Sequence, residues 1–136
     1  MPTASTPLTE GDGKTPSQAW WRFWFELFSR SAATIQYLTA TGLTATGTTQ
    51  ADALALTAEW NEVTTTPANS GVRLNSFGKG LTSTVFNAGA NPLDVYPPVG
   101  GAIDALGTNN PYILAAGRSQ TYYQLSTTAF RSTQLG

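Results

Sequence analysis

Few residues of this chain have chemistry to offer. Asp94 and Asp104 come nearest to an acid–base pair of carboxylates, and Asp52, Glu59 and Glu62 are oxygen donors of the kind calcium accepts. Neither group has the company its chemistry needs. The sequence contains no histidine and no cysteine, which removes imidazole bases, thiolate nucleophiles, disulfides and the usual zinc sites. Asp52, Glu59 and Glu62 lack the oxygen-rich spacing of an EF-hand loop, and Asp94 and Asp104, with no His or Cys to assist them, read as turn or surface residues. Gly100–Gly101 lacks the strand, glycine loop, helix and lysine order of a phosphate loop and reads as a turn. No catalytic, cofactor-binding or metal-binding residue is therefore assigned, and the chain is not expected to be an enzyme.

What remains is recognition by aromatic surface. Tyr112, Tyr122 and Tyr123 are candidates for stacking against sugar rings, although alternation along a strand would divide them between core and surface. Arg73, Arg118 and Arg131 have no acidic neighbours in sequence and are candidates for pairing across a subunit interface. Trp60 reads as a core anchor, with a subunit contact as the alternative. The densest signal is the run Trp20, Trp21, Phe23, Trp24, Phe25, Leu27 and Phe28, which holds three of the four tryptophans. At about 100° per residue these seven side chains cover an arc of about 200°, leaving Arg22, Glu26, Ser29 and Arg30 on the other face. That arc is wider than one face of a small β domain needs to cover. All seven are assigned to an interface with sister subunits or another protein.

The run must sit on a helix. Thr15 suits an N-cap, Pro16 the first helical position and Gln18 the capping box, and the spacing predicts a helix from there to about Ser31. Residues 1–14, rich in Thr, Pro, Ser and Gly, read as a flexible arm. Residues 15–46 read as the amphipathic helix and a linker, with the Thr/Gly/Ala stretch 39–49 as irregular loop. Residues 47–136 read as a β module of short strands at Leu54–Leu56, Asn61–Thr66, Gly71–Leu74, Leu81–Asn87, Leu93–Tyr96, Tyr112–Ala115 and Gln120–Leu125. Gly, Asn and Pro between them predict two hairpins, through Ala88–Pro92 and through Ala116–Ser119. The expected fold is mainly β, a small antiparallel β-sandwich or barrel over about residues 47–132, preceded by the aromatic helix and the arm.

Charge narrows the setting. Charged residues make up 11% of the chain and the net charge is −1, so there is no basic footprint for nucleic acid and the surface is unusually neutral for a free monomer. The aromatic run is too short and too charged to span a bilayer, and its polar face is not Lys/Arg-rich as that of a membrane-surface helix is. No signal-peptide pattern precedes it, so synthesis in the cytoplasm without processing is expected.

The segment Val85–Phe86–Asn87–Ala88–Gly89–Ala90–Asn91–Pro92–Leu93–Asp94–Val95–Tyr96–Pro97–Pro98–Val99–Gly100–Gly101–Ala102–Ile103 resembles a β module found in virion proteins of tailed bacteriophages. Leu106, Asn110, Ala115–Ala116–Gly117 and Tyr122 match its continuation, and Thr49–Leu54 and Gly71–Leu74 its earlier part. Asn75 and Phe130 depart from it, standing where the family often has proline and tryptophan. The resemblance covers roughly residues 47–132 and implies a structural protein of the virion, assembled in the bacterial cytoplasm. The expected form is a homotrimeric head decoration, cement or spike protein anchored by its N-terminal region on partners such as the major capsid protein. The alternatives are a tail adaptor or fibre anchor, and a receptor-binding module for host glycans.

Overall fold

A computed structural model describes residues 17–34 and 37–133, with only the backbone of residues 28–34. The chain forms two compact units that divide after Gln36. In the first, helix α1 spans Gln18–Thr34. Ser17 precedes it, and its carbonyl accepts the first helical hydrogen bond from the Trp21 N–H at 2.9 Å. Thr15, Pro16 and the arm lie outside the described residues. The helix runs past the expected stop at Ser31 because Ala32 and Ala33 are strong helix formers that outweigh the β-branched Thr34.

The second unit is all β. Its strands are β1 (Thr39–Thr44), β2 (Leu54–Ala55), β3 (Trp60–Thr65), β4 (Gly71–Arg73), β5 (Thr82–Asn87), β6 (Leu93–Tyr96), β7 (Ala102–Ile103), β8 (Tyr112–Leu114), β9 (Ser119–Gln124) and β10 (Ala129–Ser132). A six-stranded sheet runs β1-β3-β5-β9-β10-β7 and a four-stranded sheet β2-β4-β6-β8. Successive strands from β1 to β6 alternate between the two sheets, and each of β1 to β4 pairs in parallel with the strand two places later. This is the connectivity of a coil. Antiparallel pairing enters with β8 and β9, which lie against β6 and β5, and with the hairpin β9–β10.

The mainly β character expected from the sequence is present, but the parallel coil from β1 to β6 takes the place of the expected antiparallel sandwich or barrel. Neither expected hairpin forms: Ala88–Pro92 joins β5 to β6, and the stretch expected as the Ala116–Ser119 hairpin joins β8 to β9, each carrying the chain from one sheet to the other. Gly, Asn and Pro supply the backbone freedom that a hairpin and a corner both require, so the turn signal alone does not decide between them. The stretch expected to be a linker contains β1, whose threonines suit a strand once β3 offers a partner. Gly42, at φ 70°, sits where the β1–β3 register shifts, a bulge that a glycine accommodates.

One core lies between the sheets. Val63, Val85, Tyr122 and Phe130 enter it from the six-stranded side, and Val72, Leu93, Val95 and Leu114 from the other, all buried. The corners are held by side-chain amides. Asn87, fully buried, closes β5: its Nδ2 donates to the carbonyls of Asn91 (2.9 Å) and Leu114 (3.0 Å), and its Oδ1 accepts from the Gly89 N–H (3.0 Å). Its backbone N–H donates to Arg118 and its carbonyl accepts from Gly117, at 2.9 and 2.7 Å. One residue therefore joins its own corner, β8 and the β8–β9 corner. The corner after β3 stacks on the corner after β5. The Asn91 N–H donates to Thr66 Oγ1 at 3.1 Å, and Asn91 Nδ2 donates to the Thr66 carbonyl at 2.8 Å. Gly89 fits because a Cβ there would stand 2.1 Å from Thr66 Oγ1.

Two substitutions separate paired from unpaired buried polar groups. Asn87→Ala removes three side-chain hydrogen bonds from a buried corner and is expected to lower unfolding stability by roughly 2–4 kcal/mol. Tyr122→Phe removes a buried hydroxyl that has no hydrogen-bond partner among the described residues and is expected to be neutral or stabilising by about 1 kcal/mol. Urea unfolding of both variants beside the parent checks the ordering.

Candidate interaction surface

On α1 the seven residues assigned to an interface divide as follows. Trp20, Phe23, Trp24 and Leu27 follow the i, i+3, i+4, i+7 spacing of one stripe. Trp20 and Phe23 are half-buried and meet edge to face at 5.7 Å between centroids, with an interplanar angle of 87°. Phe23 and Trp24 meet at 5.8 Å and 64°. Edge-to-face contact sets the positive edge of one ring against the negative face of the next, so the stripe is ordered by its own side chains. Trp21 and Phe25 flank it and are 62% and 73% exposed. Phe28 shares the helix backbone, and its side chain lies outside the described residues. Arg22 and Glu26 are exposed on the opposite face.

The exposed parts of Trp21, Trp24, Phe25 and Leu27 amount to on the order of 400 Å² of apolar surface if each side chain offers about half of a typical aromatic area. Contiguous apolar patches of a few hundred Å² mark contact sites. At about 25 cal/mol per Å², covering such a patch gives about 10 kcal/mol before association costs of roughly 4–15 kcal/mol. One helix against one partner is thus close to break-even, and several helices meeting together gain more.

The remaining candidates do not assemble into a site. Asp94 sits on β6 opposite Ile113 of β8, and burial pushes its carboxyl above the usual range. Asp104, at φ 51°, turns its carboxylate to Ser132, accepting from the backbone N–H at 3.1 Å and from the hydroxyl at 2.5 Å. The two carboxylates serve different sheets. Asp52 accepts from the Thr49 hydroxyl (2.6 Å) and N–H (2.8 Å), and these bonds hold its carboxyl below the usual range as the cap of a turn. Glu59 accepts from the Leu38 N–H at 3.1 Å. Among the described residues no group of three acidic ligands gathers that could hold a metal. Gly100–Gly101 is a turn, with the Gly100 N–H donating to Asn109 Oδ1 at 2.7 Å.

The tyrosines do not form a platform. Alternation on β9 buries Tyr122 and exposes Tyr123, while Tyr112 packs edge to face on Tyr122 at 5.7 Å and 81°. Burial pushes the Tyr122 hydroxyl far above its ordinary pKa, so it stays neutral. Trp60 is 41% exposed, against its reading as a core anchor, because the register of β3 turns Asn61 and Val63 inward. Arg73 is engaged within the chain, donating to the Gln50 carbonyl at 3.2 Å, whereas Arg118 and Arg131 are exposed. Sequence reasoning missed the free edge of β8 beside Arg118, because a strand's position in its sheet follows from pairing that composition does not reveal.

No helix among the described residues is long and apolar enough to cross a membrane. Comparison with protein-family models, curated proteins and solved structures found no match.

The Asp94 carboxyl gives a pH dependence of definite sign. Its folded-state pKa is raised, so ionisation opposes folding, and this penalty is relieved as pH falls through the folded value towards the unfolded one near 3.8. Asp94→Asn is therefore expected to match or exceed the parent at pH 7 by up to about 0.5 kcal/mol, with the advantage shrinking as pH falls towards 4 and lost below it. Urea midpoints across pH 3–7 check it.

Proposed function

We propose that this chain is a structural component of a tailed-phage virion, a homotrimeric decoration, cement or spike protein of the head that docks through α1. The observation that carries the proposal is the exposed aromatic arc from Trp20 to Leu27, more apolar surface than the helix needs for its own order. Three such helices side by side would bury their stripes against one another and leave Arg22 and Glu26 to water, as charged residues at the outer positions of a bundle do. The remaining apolar flank, Trp21 and Phe25, then faces the particle wall.

The β unit supports the same reading. The residues that carry the virion-protein resemblance are those its corners require: Asn87, Gly89 and Asn91 in one corner, and Pro97 to Gly101 in the next turn. A low-charge unit with tied corners and few ionisable groups suits a permanent place in an assembly. The acidic and aromatic residues outside α1 offer no competing catalytic arrangement among the described residues.

Native mass spectrometry of the purified chain is expected to give a trimer, and a stable folded monomer counts against the proposal. Trp24→Asp is expected to reduce the trimer and to abolish incorporation into particles. The thermal unfolding of the β unit should stay within about 2 °C of the parent, since the described core of that unit is built from its own strands and turns. Equal loss of folding would assign the aromatic run to the core instead. A gold-labelled tag on assembled particles should mark the head; label at the tail would move the protein to an adaptor or fibre anchor there.

A further inference from the structure

A second docking feature lies on the four-stranded sheet, argued independently of α1 and of the virion reading. β8 is the last strand of this sheet and pairs with β6 through Leu93↔Leu114, Asp94↔Ile113 and Val95↔Tyr112. The Asp94 N–H donates to the Ser70 carbonyl on the β4 side at 3.2 Å. The Asp94 carbonyl faces Gly71 so closely that a Cβ there would stand 2.9 Å from it. Both main-chain groups of Asp94 thus serve β4. In an antiparallel ladder this makes Asp94↔Ile113 a non-hydrogen-bonded pair, so the N–H and C=O of Ile113 point away from β6 to the open side. The Ile113 side chain is 68% exposed.

Beside this edge lies an open groove of about 640 Å³, within the roughly 300–1,000 Å³ range of ligand sites. Ile113, Arg118, Gln120, Thr121 and Thr133 are among its lining residues. Gln120 Nε2 is fixed by donating to the Thr133 carbonyl at 2.7 Å and hydroxyl at 2.9 Å, so this part of the groove is polar and held in place. Arg118 brings positive charge to the lining, and among the described residues no carboxylate lines the groove to oppose it.

We infer that this edge receives an extended segment of another polypeptide by strand addition, with an acidic side chain of that segment seated against Arg118. The donor and acceptor of Ile113 are spaced as one residue of a strand, the complement of a peptide backbone rather than of a sugar or a phosphate. The unopposed guanidinium adds the sign of charge. β8 has three residues and follows Pro111, features that blunt an edge against indiscriminate pairing. Few backbone bonds are available, so selection falls to the charge contact and to the fit around Ile113.

The test uses the full chain, immobilised and panned with a displayed library of random heptapeptides. Enriched sequences are expected to alternate β-branched residues with an Asp or Glu. Synthetic copies should bind at least tenfold more weakly when that acid is changed to its amide, when the central peptide nitrogen is methylated, or when the protein carries Arg118→Glu. The exposed Arg118 side chain lets that variant keep the parent's circular dichroism and melting temperature. If it does not fold, the amide and N-methyl peptides against the parent decide the question alone. No enrichment over the bare support overturns the inference, as do enriched peptides whose binding ignores both the acid and the backbone nitrogen.

Discussion

The β unit depends on the closing of its corners, and Asn87 shows how this is done. A chain that alternates between two sheets must turn at the end of every strand, and each turn carries N–H and C=O groups away from the ladders that would satisfy them. At the end of β5 the buried amide of Asn87 supplies one acceptor and two donor contacts to those groups, while its backbone binds the corner at Gly117–Arg118. Asn91 and Thr66 repeat the device between neighbouring corners, and Gly89 makes room for it. With the corners stacked, the strands arrive in parallel register and Val63, Val72, Val85 and Val95 meet in one layered core. Apolar burial drives the collapse but does not choose parallel over antiparallel neighbours; the corner bonds are directional, and they favour this stacking.

That division explains what could be read from the sequence. Most strands were legible, since alternation at β5 and β9 and the short apolar run of β6 carry their own signal, whereas β7 and β10 were not among the expected strands. Strand partnership was not. A five-residue Gly/Asn/Pro connection between β5 and β6 serves a hairpin or a corner equally well, and the corner is held by a hydrogen bond from the Asn87 side-chain amide to the carbonyl of Leu114, far along the chain. The coil leaves no visible repeat because its turns differ in length: Thr39, Trp60 and Thr84 stand side by side at unequal spacings. β1 was hidden for the same reason, a Thr/Gly segment that becomes a strand only beside β3. Trp60 was misplaced because composition said core while the register set by Asn61 and Val63 turned it outward.

For α1 the balance was reversed. A helix needs only local spacing, so its existence, its aromatic arc and its charged face followed from residues 18–27 alone. Its C-terminal end was the weaker point, since Ala32 and Ala33 carry the helix on where the β-branched neighbours suggested a stop. Sequence spacing placed seven apolar residues on one arc, and the edge-to-face contacts of Trp20, Phe23 and Trp24 show that part of that arc is used within the helix itself. The surface that remains, Trp21, Phe25 and the outer parts of Trp24 and Leu27, is smaller and better defined than the sequence implied.

The two surfaces ask for different kinds of partner because their unmet interactions differ. Apolar area on α1 is satisfied by any close covering and falls off gradually with misfit, which suits symmetric packing of like helices. The main-chain pair of Ile113 on β8 is satisfied only by a donor and an acceptor at strand spacing, and a shift of one residue turns every side chain of the added segment to the other face. The proposed association through α1 would therefore be tolerant in geometry and gain strength only where several helices meet. Association through β8 is selective in register and weak in sum. A chain holding both can be retained by the first while the second fixes which neighbour lies beside its β unit, so loss of the β8 contact would change arrangement without changing whether the chain is held.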